Sequence, residues 1–226
     1  MRILGIDTST KYAGVAVLDD DNLIAQSIMQ FKASHSEKLL PEIAHILEIM
    51  KIPLETIDYY AITVGPGSFT GLRVGISTLK GLAYVTGKYI IPVSSLEVIA
   101  RRIALVEKPI CPILDARKKE VYTALFKWNE GKLIRIKKDS VLSIDKLAEW
   151  IKEQTIFTGD GVSIYKEKIS ALFGTKAIFI NSIYGIPSPE IVATVAQEKL
   201  KEGLFISAKE LEPIYLRKSE AEIKFG

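Results

Sequence analysis

Short apolar runs, each ended by a polar or glycine turn, alternate along this chain with longer segments whose apolar residues recur every three or four positions. The first kind predicts strands and the second amphipathic helices. Ile3 to Ile6 predicts a strand, Asp7 to Tyr12 a turn, Ala13 to Leu18 a second strand, Asp19 to Asn22 a turn, and Leu23 to about Met29 a third strand. After this meander, Ser36 is placed to cap a helix in which Leu39, Leu40, Ile43, Ala44, Leu47 and Met50 form a wide apolar band, ending near Ile52-Pro53. Ala61 to Val64 predicts a strand inside a sheet, and Gly65-Pro66-Gly67 breaks it. Ser68 or Thr70 then opens a helix that reaches about Gly87, with one stripe of Phe69, Leu72, Ile76, Leu79 and Ala83 and a second of Gly71, Gly75, Thr78 and Leu82. Each glycine costs a helix interior about 1 kcal/mol relative to alanine, so the pair calls for a close approach by another backbone. A short strand around Ile90 and Ile91 and a helix from Ser95 to about Leu105 close this half.

From Pro109 the pattern starts again. Ile110 to Leu114 predicts a strand closed by Asp115, Glu120 to Lys127 a second, Asn129-Glu130-Gly131 a turn, and Lys132 to Lys137 a third. A helix from about Ile144 to Glu153, a strand Thr155 to Thr158, a turn Gly159-Asp160-Gly161, a helix from Ser163 to about Leu172, a strand Ala177 to Ile180 and a helix from Pro189 to Lys201 follow. Each half therefore reads as three strands, helix, strand, glycine turn, helix, with Asp7 and Asp115 closing the first strands. The halves do not align residue for residue, since the aspartates are 108 apart (115 minus 7) and the glycine turns 94 (159 minus 65). The expectation is a duplicated α/β fold of two βββαβα halves, residues 1–105 and 106–226. This layout resembles the actin, Hsp70 and sugar-kinase superfamily, with its RNase H-like halves, and the resemblance implies a nucleotide cleft between them. Ligands of open α/β sheets sit beyond the carboxyl ends of the strands. That makes Asp7, Ser9, Thr10, Gly65, Gly67, Asp115, Gly159 and Gly161 the candidate cleft residues.

Composition narrows the classes. The 226 residues are 48% hydrophobic and 25% charged, which suits a globular chain with a sizeable core. A net charge of +3 is too small by itself to argue for nucleic-acid binding. Cys111 is the single cysteine and the two histidines, His35 and His45, stand ten apart, so neither a disulfide framework nor a closed zinc site is expected, and the chain fits a reducing cytosol. Met1-Arg2-Ile3-Leu4 breaks to Gly5 and Asp7 too early for a signal peptide, and no run of about 18 apolar residues predicts a membrane anchor.

The candidate cleft reads as degenerate. Asp7-Thr8-Ser9-Thr10 occupies the place of the superfamily's first phosphate loop but lacks its glycine, and Asp7 with Ser9 suits a plain hairpin turn equally well. Asp115-Ala116-Arg117-Lys118-Lys119 puts bulky cations where a phosphate loop brings backbone close. Gly65, Gly67 and Gly71 give a spacing one residue too long for the dinucleotide fingerprint, and Gly71 precedes Leu72 and Arg73 rather than the Lys and Ser or Thr of a P-loop. Gly159-Asp160-Gly161 falls where the superfamily's adenosine-binding glycines fall, or serves as a strand-to-helix turn. Ser68, Ser94 and Ser95 have no histidine marked as their base. The expectation is a vestigial nucleotide cleft with no catalytic residue, metal or cofactor of its own.

LGIDTSTKYAGVAVL, HSEKLLP, VGPGSFTGLRVGISTLKGLAY, LDARKKEVY and LEPIYLRKSEAE together resemble the TsaB family, formerly YeaZ, of bacterial tRNA threonylcarbamoyladenosine biosynthesis. The resemblance spans the whole chain. It implies a noncatalytic, cytoplasmic subunit that binds TsaD, the subunit that transfers threonylcarbamoyl to N6 of adenosine 37 in tRNAs reading codons that start with A. It also implies help in recruiting the ATPase TsaE, a homodimer in isolation, tRNA reached through the complex, and ATP only at the level of that complex. The metal-binding H-x-x-x-H of the TsaD family has no match here. The alternative is an enzyme in its own right, a small-molecule kinase or a glycoprotease-like peptidase.

Two surfaces are expected to matter. The spare faces of the first two long helices, carrying Leu39, Leu40, Ile43, Leu47, Gly71, Arg73, Gly75, Thr78 and Leu82, are expected to form one apolar partner interface. Gly71 and Gly75 facing the protein's own interior is the competing expectation. Arg117, Lys118 and Lys119 are expected to form an exposed cationic turn, facing solvent, tRNA or an acidic partner surface.

Overall fold

The computed structural model describes residues 1–30, 35–186 and 188–217. The antiparallel meander forms as its apolar runs predict, from β1 (Arg2–Asp7), β2 (Tyr12–Asp19) and β3 (Asn22–Gln30). Helix α1 (His35–Ile49) follows, and the side chain of Ser36, expected as its cap, lies outside the described residues. Strand β4 (Tyr59–Gly65) returns parallel to β1, helix α2 (Phe69–Thr86) crosses over, and β5 (Tyr89–Ser94) lies parallel to β4. The sheet order is β3-β2-β1-β4-β5. A short α3 (Ser95–Arg101) ends four residues before the expected Leu105, whose φ of +49° is incompatible with continuing the helix.

The second sheet repeats this order. Strands β6 (Ile110–Asp115), β7 (Glu120–Asn129), β8 (Lys132–Ser143), β9 (Thr155–Thr158) and β10 (Ala177–Phe179) lie as β8-β7-β6-β9-β10, with α4 (Gly161–Phe173) joining β9 to β10. Two elements differ from expectation. The polar Lys137-Lys138-Asp139-Ser140 reads as a strand end, yet pairing with the ten-residue β7 carries β8 on to Ser143, a tertiary override of local preference. The helix expected over residues 144–153 is a single 3₁₀ segment, Ile144–Glu149, whose buried Ile144 and Leu147 share one face because they are three apart.

Both faces of the first sheet are covered, which explains why its strands read as near-continuous apolar runs. Leu4, Ile6, Val15 and Val17 pack with Leu39, Ile43 and Leu47 of α1 and Ile76, Leu79 and Ala83 of α2. The alternate residues Ile3, Ala16 and Leu18 pack with Val192, Ala193, Val195 and Ala196 of the last helix, α5 (Pro189–Lys201). The chain therefore divides differently from the expected halves. One unit is Met1–Val98 with 188–214, and the other is Ile99–Ile186 with 215–217 among the described residues. The physical reason is the uncovered face of the first sheet, since α3 is too short to bury it and the small-residue face of α5 fits it. A side chain on Gly5 would run into Pro189 O and Ala193, and one on Gly14 would meet Pro189 Cδ at 2.9 Å. Val192 and Val195 each gain about 1.5–3 kcal/mol from this burial.

The contact between α5 and Gly5 yields the first prediction. Ala193→Leu adds volume where no space exists and is expected to lower stability by about 1–3 kcal/mol, read as a drop in the urea midpoint. An unchanged midpoint would contradict this packing.

Candidate functional site

In the first unit the expected phosphate loop is a closed turn. Asp7 ends β1, and its Oδ1 accepts hydrogen bonds from Ser9 N and Ser9 Oγ, both at 2.8 Å. Thr10 Oγ1 accepts from Tyr12 N at 3.1 Å, which starts β2. All four residues from Asp7 to Thr10 are buried, Asp7 at 2% exposure. The sequence alternative of a hairpin turn thus describes the local geometry.

Helix α2 seals that turn. Ser68 N donates to Ser9 O at 2.6 Å, and Ser68 Oγ accepts from Gly71 N at 3.2 Å as the N-cap. A Cβ on Gly71 would collide with Thr8 O, and one on Gly75 with Thr8 Oγ1. The two glycines therefore face the protein's own interior, and their place in the expected partner interface is corrected. Leu39, Ile43 and Leu47 are likewise buried in their own unit. Of the nine residues expected there, Leu40 and Arg73 are exposed and Thr78 and Leu82 are half-buried. The displaced expectation has a physical source, because small residues mark close approach and do not say to which neighbour.

Asp7 carries an electrostatic load. Its Oδ2 makes no hydrogen bond of good geometry, and neither do Thr63 Oγ1 and Glu190 Oε2, all three buried, while the Thr63 hydroxyl is near enough to the Asp7 carboxyl to favour its charged form. Burial pushes the Asp7 carboxyl up to about 6 against the pull of the Ser9 hydrogen bonds, and the nearby Glu190 carboxylate adds to the rise. Gly65 sits at φ +118° where Ile214 N donates to Val64 O at 2.7 Å, and Gly67 abuts Ser9 O.

In the second unit the equivalent aspartate is fully engaged. Asp115 Oδ1 accepts from Arg117 N at 3.0 Å and from Tyr165 Oη at 3.1 Å, and the Arg117 Nε lies 4.0 Å from Oδ2. Ala116 N donates to Glu120 O at 3.0 Å and Glu120 N to Arg117 O at 2.9 Å, closing a three-residue turn. Arg117, Lys118 and Lys119 in that turn have φ of +64°, +50° and +63°. Left-handed backbone costs a residue with a side chain roughly 1–2 kcal/mol. The turn therefore keeps a glycine-type backbone while carrying three cations, and Arg217 holds it by donating from Nη1 to Ala116 O at 2.7 Å. Gly159 and Gly161 serve the strand-to-helix turn into α4, packed on Ile113, and a Cβ added at Gly161 would lie 3.0 Å from Asp115 N. Glu190, Tyr165 and Arg217 were not foreseen as site residues, and only Arg217 stood in a quoted motif. Among the described residues no group of three or more His, Cys, Asp or Glu side chains gathers, and His45 is exposed on α1. Nor, among them, is any helix long and apolar enough to cross a membrane.

Comparison with known proteins places this geometry. The chain is 33% identical over 228 residues to the tRNA threonylcarbamoyladenosine biosynthesis protein TsaB of Bacillus subtilis (strain 168), covering 100% of this chain and 98% of that one. The chain belongs to the TsaB family. A family model described as TsaD, tRNA N6-adenosine threonylcarbamoyltransferase, matches residues 28–225, so the TsaB chain also carries the pattern of that transferase family. The structure of YeaZ from Pseudomonas aeruginosa superposes with a TM-score of 0.82 at 24% identity, covering 95% of this chain and 100% of that one. A ROK hexokinase from Thermus thermophilus shares the fold alone, with a TM-score of 0.50 at 10% identity over 90% and 100% of the two chains. The TsaB-family chain thus has the duplicated actin-like, sugar-kinase-like fold that its strand pattern predicted.

Two predictions follow from the sealed turn. Gly75→Ala is expected to destabilise despite the better helix propensity of alanine, whereas Gly81→Ala, with nothing within 4 Å of its added Cβ, should gain up to about 1 kcal/mol. Equal shifts in melting temperature for the two variants would remove the close approach from the account. For Asp7, the folded state binds the proton more tightly than the unfolded chain, so stability is greatest below the ordinary carboxylate range and falls as pH rises from about 4 to about 6. Asp7→Asn should flatten that fall, on the order of 2–3 kcal/mol, in urea titrations across this window. An undiminished pH slope in the variant would assign the titration elsewhere.

Proposed function

We propose that this chain is a noncatalytic, cytosolic subunit of the assembly that forms N6-threonylcarbamoyladenosine at position 37 of tRNAs reading codons that begin with A. In this reading it binds and supports a TsaD-like catalytic subunit and helps recruit a TsaE-like ATPase, so that ATP enters at the level of the complex. The observation that carries it is the sealing of the Asp7–Thr10 turn. A loop that grips phosphate must offer its backbone N–H groups and carboxylate to the ligand. Here those four residues are buried, and α2 is laid over them through Gly71 and Gly75.

The partner surface is the outer face of α1 and α2, in a different register from the one the sequence suggested. On α1 it presents Leu40, 50% exposed, and on α2 Tyr84 and Val85, 86% and 82% exposed. On the same face of α2, one and two turns before Tyr84, lie the exposed Gly81 and Ser77, which leave the helix surface low enough for another helix to approach. In the absence of the catalytic subunit a second copy of this chain covers the same face, giving a homodimer.

Leu40→Glu combined with Tyr84→Glu is expected to leave the fold intact, since both side chains are solvent-exposed, and to abolish co-elution with the catalytic subunit. Modification of a tRNA transcript by the reconstituted assembly should fall at least tenfold. Full activity with the doubly substituted chain, or ATP turnover by the isolated wild-type chain that Asp7→Ala abolishes, overturns this reading.

A further inference from the structure

The net charge of +3 conceals a division. Residues 99–186 and 215–217 carry 17 Lys and Arg against 10 Asp and Glu, a net +7, whereas 1–98 and 188–214 carry 11 against 15, a net −4. Within the cationic unit, Lys127, Arg135 and Lys168 face Glu153, Asp139 and Asp145. Lys118 and Lys119 are exposed and engage no carboxylate among the described residues, and the Arg117 side chain is 81% exposed.

The backbone makes this pair of lysines and their arginine unusual. Three successive residues in the left-handed region would be relaxed by glycine, and none of the three is glycine. A strained conformation that persists points to a use for the side chains that it displays. The turn therefore displays three exposed cations in succession. Arg217 fixes the base of the turn, donating to Ala116 O and pairing with Glu120 at 3.4 Å, while Tyr165 and Arg117 N hold Asp115 beside it. Three adjacent cations suit a chain of phosphates better than a single carboxylate.

We propose that the turn Arg117-Lys118-Lys119, anchored by Arg217, is a contact site for the phosphate backbone of RNA. The contact is sequence-independent and belongs to this chain itself, so the subunit holds tRNA rather than only the enzyme that modifies it. This rests on the complex-subunit reading for the identity of the RNA, and the binding itself is measurable without the complex.

The test uses the full chain and the triple variant Arg117→Gly, Lys118→Gly, Lys119→Gly. Glycine suits all three backbone conformations, so the variant is expected to keep or raise its melting temperature. Wild type should bind an unmodified tRNA transcript at 50 mM salt, and the variant should bind about tenfold or more weakly, with a salt slope smaller by about 2–3. Lys132→Gly on the edge strand β8 of the same unit should change binding little, which separates a local contact from diffuse charge. Wild-type chain that does not bind the transcript, or a variant with unchanged affinity and slope, overturns the proposal. Stronger competition by poly-L-glutamate than by RNA of equal charge would assign the turn to an acidic protein and overturn it likewise. Co-elution of the triple variant with the catalytic subunit, measured in parallel, keeps a failure of RNA contact distinct from a failure of assembly.

Discussion

The approach of helix α2 to the Asp7–Thr10 turn is the constraint on which the first unit depends. Crossover helices normally stand off a sheet by the length of the side chains between the two layers. Where Gly71 and Gly75 face Thr8 that spacing closes, and the turn between β1 and β2 becomes part of the core. Three consequences share this origin. Asp7 loses solvent and rises toward neutrality, Ser68 can cap the helix while its own N–H reaches Ser9 O, and the remaining face of α2 is left to solvent from Thr70 to Val85. The glycines that cost the helix its intrinsic stability set the geometry of everything at this end of the sheet.

The strand pattern made most of the fold legible. Period-two and run-length signals located every strand of both meanders, and the repeat of that pattern predicted two sheets of the same order. What failed was non-local. Nothing in the composition of residues 189–201 says that this helix covers the other sheet, because an amphipathic face records that it is buried and not by what. The same holds for Gly71 and Gly75, whose spacing announced close packing but left the neighbour open. Local backbone strain was also invisible, since Arg-Lys-Lys is an ordinary surface tripeptide until its φ angles are known.

The candidate site was legible in position and illegible in state. Asp7 and Asp115 end corresponding strands, as the repeat required, yet they meet opposite environments. Asp7 is confined beside Glu190 with one oxygen that makes no hydrogen bond of good geometry, and Asp115 is held by a tyrosine hydroxyl and a backbone N–H at the edge of solvent. Tyr165 bears the converse mark, its phenol pushed up by burial and by the Asp115 carboxylate. Loops that occupy equivalent places in a duplicated fold have diverged, one by closing and the other by acquiring charge.

That divergence changes what the net charge can be used for. A small total of +3 argues against a polyanion partner only if the charge is spread evenly, because binding responds to the local field within about a Debye length of 8–10 Å and not to the sum over the molecule. Once 99–186 and 215–217 are separated from the rest, the total becomes the difference of two opposed units, and the cations of the 117–119 turn stand in the positive one. The unit 1–98 with 188–214, at net −4, offers a polyanion no comparable attraction. A net +3 is therefore no argument in either direction about a polyanion partner, because it is the sum of a +7 and a −4.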